Sequence, residues 1–377
     1  MEFLKYVGES LSGVSFVAII MTFFSILGAI DRILGNKFGL GNQFEKGCML
    51  LGVMLLSMTG MIIISPVISD LLSPVFDFVY NVFKIDPSVI PASLFANDMG
   101  GAPLSQDVCK NQDIGMFNAL VVSSMMGCTI SFTIPFALSM VDKAHHKEVL
   151  LGLLCGIVTI PVGCFVGGLV AGLPILALLY DLLPLVIFSV IIALGLFLCP
   201  KISIKVFGIF GTFIKILITI GLCLGIVKFL TGIEIIKGLE TFENGAMVCV
   251  NATAVMTGAF PFMFIISKLV EKPVKKLALR LGMNGVGAMG LIGSLATSAT
   301  TFESMKKMDD KGIVMNSAFA VSAAFTFAGH LAFTLSFDSD YILPMIVGKL
   351  AAGITSLFVA AFMFKRNPYK GESTNVH

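Results

Sequence analysis

The stretch Pro91-Ala92-Ser93-Leu94-Phe95-Ala96-Asn97-Asp98-Met99-Gly100-Gly101-Ala102-Pro103 decides the reading of this chain. It lies inside a longer segment, Ile85 to Asp113, that ends in a polar run, Gln106-Asp107-Val108-Cys109-Lys110-Asn111-Gln112-Asp113, and is flanked by long apolar runs. A carboxylate at membrane depth costs about 2.5 to 3.5 kcal/mol on insertion scales. Glycine and proline free backbone groups that lipid cannot satisfy, so such backbone survives at that depth only inside protein or along a watery cavity. A second stretch of this kind runs from Met283 to Gly312. It is Gly-rich and apolar as far as Ala296, then reads Thr297-Ser298-Ala299-Thr300-Thr301-Phe302-Glu303. Both stretches read as re-entrant hairpins, 85–113 and 283–312, whose tips meet at a solute site.

Composition sets the frame. Of 377 residues 56% are hydrophobic and 13% charged, against about 25% charged in soluble domains. The chain is therefore expected to be an all-α polytopic membrane protein. A net charge of +2 with the basic residues dispersed over short loops gives no sign of nucleic-acid binding, so no nucleic-acid partner is expected and the lipid bilayer is the expected surrounding. The eight cysteines lack metal spacing and fall mostly in apolar runs, so neither a metal site nor a disulfide framework is expected. Paired-His zinc helices, P-loops, nucleophile elbows and dinucleotide fingerprints are all missing from the sequence. The expectation is thus no cofactor and no enzyme.

A spanning helix needs about 20 apolar residues. Nine runs qualify: 14–30, 47–69, 114–141, 149–171, 173–199, 206–230, 245–270, 313–336 and 342–364. The first is read as a retained helix rather than a cleaved signal peptide. The segment 71–83 is short and holds Pro74 and Asp77, so it reads as an interfacial helix. If both polar stretches return to the side they left, fourteen basic residues gather on one side against three on the other; if each crosses once, the counts are seven and ten. The positive-inside rule favours the hairpins, with the N-terminus outside and the C-terminus in the cytoplasm.

The resulting order is an inverted repeat of two spans, hairpin and two spans. Residues 1–171 and 205–366 are the two units, 172–204 holds the linking helix and 367–377 a disordered cytoplasmic tail. Inverted repeats whose broken helices meet near the midplane are the construction of secondary transporters.

Asp98 is the one carboxylate this reading places deep in the membrane. It serves either as counter-charge to a cationic substrate or coupling ion, or as structural partner of Lys349, which lies mid-span. Gly100 and Gly101 let the tip turn and let backbone approach a ligand. Asn97 sits beside them. Thr297, Ser298, Thr300 and Thr301 offer hydroxyls at the second tip, and equally could bond their own helix carbonyls. Asn251, with Thr253 and Thr257, stripes a polar face of the 245–270 span. His330 lies within an apolar span, as a packed residue or on the substrate path. Asn118 and Asn316 open the spans after each hairpin, and with Glu45 and Lys349 they are assigned structural or coupling roles.

These residues carry a resemblance. Asp31-Arg32-Ile33-Leu34, Gln43-Phe44-Glu45, Asp98-Met99-Gly100-Gly101, Gly156-Ile157-Val158-Thr159-Ile160-Pro161, Val227-Lys228-Phe229-Leu230, Asn316 to Phe325, Gly329-His330-Leu331 and Met345-Ile346-Val347-Gly348-Lys349 together resemble the EutH family of ethanolamine-utilisation membrane proteins. The likeness runs from about residue 14 to residue 366. It implies a permease of the bacterial cell membrane that takes up ethanolamine, a small cation near pH 7, by alternating access, with Asp98 suited to the ammonium. The alternatives are an ion-coupled symporter for another small amine or metabolite, or a membrane-embedded enzyme or sensor acting on an amino alcohol. A homodimer is an open expectation.

Overall fold

The computed structural model describes residues 14–280 and 282–366. Helices dominate the described residues and no strand occurs among them. Eight helices are long and apolar enough to cross a membrane. They are α1 (Phe16–Ile33), α2 (Leu40–Phe83), α5 (Gln112–Met140), the run Lys143–Val170 built from α6 (His146–Ile157) and α7 (Ile160–Val170), α8 (Ile175–Leu198), α9 (Pro200–Thr231), α10 (Phe242–Arg280, apolar through Leu269) and α15 (Ile342–Arg366, within the run Ser339–Arg366). Short helices fill the two polar stretches: α3 (Val89–Leu94) and α4 (Gly101–Val108), then α11 (Gly285–Ala296) and α12 (Ser298–Ser304). The protein is a polytopic all-α membrane protein.

Burial sorts these helices. The central one is α5, whose most apolar window is 83% buried; α1 and α9 bury 17% and 22% of theirs. The large side chains that α1, α8 and α9 leave exposed include Phe16, Ile33, Leu176, Phe197 and Leu230. Such an apolar surface would aggregate in water and is the surface a lipid-facing helix requires. Inside the bundle, close packing rests on small residues, as membrane helix pairs demand. Gly163 and Gly167 of α7 lie against Gly348 and Ala352 of α15, and a Cβ on Gly163 would strike the Gly348 carbonyl at 2.5 Å.

Two expectations fail at the level of elements. The segment 71–83 is not a separate interfacial helix. It continues α2 without interruption through Pro66 and Pro74, and the helix ends only at Lys84, which takes a left-handed φ of 56°. The expected span 313–336 is not one helix either. It divides into α13 (Asp310–Ala323) and α14 (Gly329–Phe337), separated by an unwound segment, Ala324–Ala328. Phe325 there holds φ 61°, a conformation that a bulky residue adopts only when its surroundings enforce it. The enforcement is visible: the Phe325 and Phe327 amides donate to the carbonyls of Ser294 and Leu295 at the end of α11, each at 3.0 Å.

Both polar stretches double back. Asp86 fastens the base of the first. Its Oδ1 accepts from the Ser88 amide and hydroxyl, and its Oδ2 from the Lys110 and Asn111 amides at 2.9 Å each, so the end of the segment lies beside its start. In the second, Asp309 Oδ1 accepts from the Asn284 amide at 2.9 Å, and Asn284 Nδ2 donates to the Lys307 carbonyl at 2.9 Å. The 12-residue α11 reverses at Thr297, whose hydroxyl caps α12. The expected tail, 367–377, lies outside the described residues.

Candidate functional site

The first tip is built by backbone. Phe95 is extended, Asn97–Met99 form a single tight turn, and Gly100 takes φ 100° before α4 begins. The Gly101 amide closes the turn on the Ala96 carbonyl at 2.8 Å, and the Ala96 amide is held by Ser131 Oγ of α5 at 3.1 Å. A Cβ on Gly100 would collide with the Met61 side chain; on Gly101 it would meet the carbonyls of Phe95 and Ala96. Both glycines are therefore required by the turn itself.

This turn presents Asn97 and Asp98 to the broken helix. Asn97 is fully buried, and neither its amide nitrogen nor its oxygen has a partner. Asp98 keeps partly accessible surface despite its place at the tip. Its Oδ2 lies 3.9 Å from where a Cβ on Gly329 would stand. Gly329 is the first residue of α14, so the carboxylate faces the positive end of a half-helix. His330 follows, buried, its ring 5.3 Å from that of Phe325 and its Nδ1 without a partner.

The unwound segment thus lies between the tips: Ala324–Ala328 is pinned to the second hairpin by Ser294 and Leu295, and Gly329 adjoins the first. Buried polar atoms are nearly always bonded, yet here several are free. Beside the Asn97 amide and His330 Nδ1, these are Ser298 Oγ at the second tip, Ser322 Oγ just before the break and Thr334 Oγ1 one turn beyond His330. Phe325 in the break packs edge to face on Phe132 at 5.6 Å and lies 5.3 Å from the His330 ring, next to the Gly329 that adjoins Asp98.

The remaining expected site residues divide. Thr301 is structural: its Oγ1 donates to the Gly290 carbonyl at 2.9 Å and accepts from Ser294 Oγ at 3.0 Å, tying the two legs together. Thr297 caps α12, and Thr300 is exposed. Asn251 is exposed, off the buried face of α10 that Cys249, Ala252 and Met256 form, because one further residue turns a helical side chain by about 100°. Glu45 pairs with Arg32 at 2.7 Å on the surface, while Asp31 beside it accepts the Phe38 and Gly41 amides and so builds the α1–α2 turn.

Asn316 Nδ2 donates to the carbonyls of Gly287 and Gly312 at 2.8 and 2.9 Å, locking the second hairpin to α13. Asn118 does the same for the first: its Nδ2 donates to Ser88 Oγ at 3.0 Å. Lys349 is fully buried and donates to the Ser124 carbonyl at 2.7 Å. It makes no ion pair with Asp98, and the two charges bear on each other only from beyond ion-pair distance. Asp98 is also not the only deep carboxylate. Asp181 of α8, inside the apolar run 173–199, is 4% exposed and accepts from Asn118 Nδ2 at 3.2 Å. The signal was present in the sequence as the lone charge of that run.

A membrane-embedded helical bundle with two doubled-back hairpins beside an unwound helix has features in common with the discontinuous-helix folds of secondary transporters. The family comparison narrows the class: the model of the ethanolamine utilisation protein EutH matches residues 14–363. The chain belongs to this family. It is 44% identical to the probable ethanolamine permease EutH of Listeria monocytogenes over 94% of this chain and 95% of that one. It is 37% identical to the probable ethanolamine permease EutH of Escherichia coli (91% and 94%) and 36% identical to the uncharacterised protein YxeR of Bacillus subtilis (92% and 94%). No solved structure matches the chain.

Proposed function

We propose that the protein takes up ethanolamine across the bacterial cell membrane by alternating access, and that the junction of the two hairpin tips with the 324–330 break is its binding site. One observation carries this reading: a partly accessible carboxylate, Asp98, stands at a break in a helix, beside Gly329 and next to an Asn97 whose buried amide the fold leaves unbonded. An ammonium offers three donors, which Asp98, the Asn97 carbonyl and the Ser298 and Ser322 hydroxyls can accept. The ethanolamine hydroxyl can then accept from Asn97 Nδ2 and donate to His330 Nδ1. Phenylalanine faces nearby add cation–π attraction. The names of the relatives supply the substrate class; the chemistry of the junction agrees with it.

The two units read as an inverted repeat, with the N-terminus outside. Movement of the hairpins against the α5 frame would then expose the junction to each side in turn. The test is purified protein in liposomes offered labelled ethanolamine, choline and serine, with and without sodium. Ethanolamine should accumulate chemically unchanged and be preferred over both others. A change in its mass would make the protein an enzyme, and equal uptake of serine would remove Asp98 as the selective group.

A further inference from the structure

Asp181 has no part in the junction just described, yet its environment is specific. Its Oδ1 accepts from Asn118 Nδ2 at 3.2 Å; its Oδ2 is buried without a partner. The second hydrogen of the same amide goes to Ser88 Oγ at 3.0 Å, and the Ser88 hydroxyl is itself spent on Asp86 Oδ1 at 2.6 Å. Because the Ser88 proton is committed to a carboxylate, Asn118 must turn its nitrogen toward Ser88 and Asp181. That leaves Asn118 Oδ1 buried with no donor. Two neighbouring groups, already joined by one N–H···O bond, thus each keep one oxygen that lacks a hydrogen.

The surroundings offer no remedy. Leu178, Leu182 and Leu185 of α8 and Cys164 of α7 are buried in the same apolar cluster. Among the described residues Asp181 joins no ion pair. The titratable groups that bear on it are Asp86 at the base of the first hairpin, which is repulsive, and the Cys164 thiol of α7; Lys349 of α15 reaches Cys164 rather than Asp181. An unmatched carboxylate oxygen in such a place is costly. A single proton on Oδ2 removes the charge and turns that oxygen into a donor beside the Asn118 amide.

We infer that Asp181 is a proton-binding carboxyl of this carrier, separate from the amine junction and linked to the base of the first hairpin through Asn118, Ser88 and Asp86. The proton comes from water on one side and returns to water on the other; no covalent bond besides its O–H forms or breaks. With the proton bound, Asn118 is free to hold Ser88. With it lost, the carboxylate competes for both amide hydrogens and loosens the clamp that Asp86 places on Lys110 and Asn111. Proton occupancy and hairpin position are thereby coupled.

This rests on the carrier reading, and the experiment has two arms so that the two can fail separately. In sealed liposomes holding a pH-sensitive dye, wild-type protein should acidify the lumen as ethanolamine enters, beyond protein-free vesicles. Asp181→Asn should lose that acidification while still exchanging labelled ethanolamine for unlabelled, more slowly. Substrate-driven acidification that survives in Asp181→Asn overturns the proposal, as does coupling to sodium in place of pH. In detergent and without substrate, infrared difference spectra between acid and alkaline pH should show the carbonyl stretch of a buried carboxylic acid that Asp181→Asn removes and Asp181→Glu shifts. The Glu variant keeps the test open if the Asn variant fails to fold. A band that answers to Asp181 in a protein that moves no ethanolamine would sink the carrier reading and leave the proton site standing; a transporting protein without the band would do the reverse.

Discussion

Asp98 and Lys349 look in the sequence like a buried ion pair, and the structure gives each a different neighbour. Lys349 answers the Ser124 carbonyl, and Asp98 faces the first turn of α14. The expected outcome of Asp98→Asn is therefore a folded protein with weakened binding. Charge-assisted hydrogen bonds contribute about 1.5 to 3 kcal/mol, so ethanolamine affinity by calorimetry should fall about tenfold to a hundredfold with little change in melting temperature. Adding Lys349→Met should not restore it. If the double variant bound and transported normally, the pair would be structural after all and the site would lie elsewhere. Lys349→Met alone removes a charge-assisted bond to the Ser124 carbonyl and should cost about 1.5 to 3 kcal/mol of stability less what the apolar side chain recovers. At the tip, Gly101→Ala must displace two backbone carbonyls, so the folded fraction after detergent extraction should drop; Gly100→Ala meets the flexible Met61 side chain as well as an unfavourable φ, and Met61→Ala should partly rescue it.

The elements show why some of this was legible and some was not. Eight of the nine apolar runs in the sequence became membrane-length helices, because in lipid the backbone must satisfy itself and length and hydropathy decide. The hairpins were legible from glycine, proline and charge placed where lipid forbids them. The break in 313–336 was not: Ala324-Phe325-Thr326-Phe327-Ala328 contains neither glycine nor proline. Its unwinding is tertiary, imposed by the Ser294 and Leu295 carbonyls. Residues 71–83 misled in the opposite sense, since Pro74 is accommodated inside α2. Of the expected site residues, Asp98 stands beside Gly329 and His330 follows it, Asn97 and Ser298 are buried with unpartnered atoms, Asn251 and Thr300 are exposed, and Thr297 and Thr301 hold the hairpin. Hairpin anchoring is testable on Asn316, whose amide binds carbonyls of α11 and α13. Asn316→Ala removes both bonds and should lower stability by about 0.5 to 1.5 kcal/mol for each. Thermal melting should record the loss, and a cysteine at the exposed Thr300 should react faster with a thiol reagent than in the parent. A rate unaffected by Asn316→Ala would mean the second hairpin is anchored by other contacts.

At the scale of the whole molecule the question is orientation. Asp86 and Asp309 bring each hairpin's end back beside its beginning, so neither stretch moves the chain to the opposite face. Counting helices from α1 then gathers the basic loops 31–46, 142–148, 200–205 and 271–280 on one face together with the C-terminal end of α15. Lysine and arginine are retained on the cytoplasmic side, so the expectation is Lys143 and Lys272 inside and Lys84 and Lys237 outside. All four are exposed, so single cysteines there should be reachable once the native cysteines are removed. A membrane-impermeant maleimide applied to intact cells should label positions 84 and 237, and positions 143 and 272 only after the membrane is opened. Labelling of 143 and 272 from outside, with 84 also outside, would require α3 and α4 to cross rather than return. It would also put the basic loop after α10 on the wrong face, which would overturn the inverted repeat together with the two-sided access that the carrier reading draws from it.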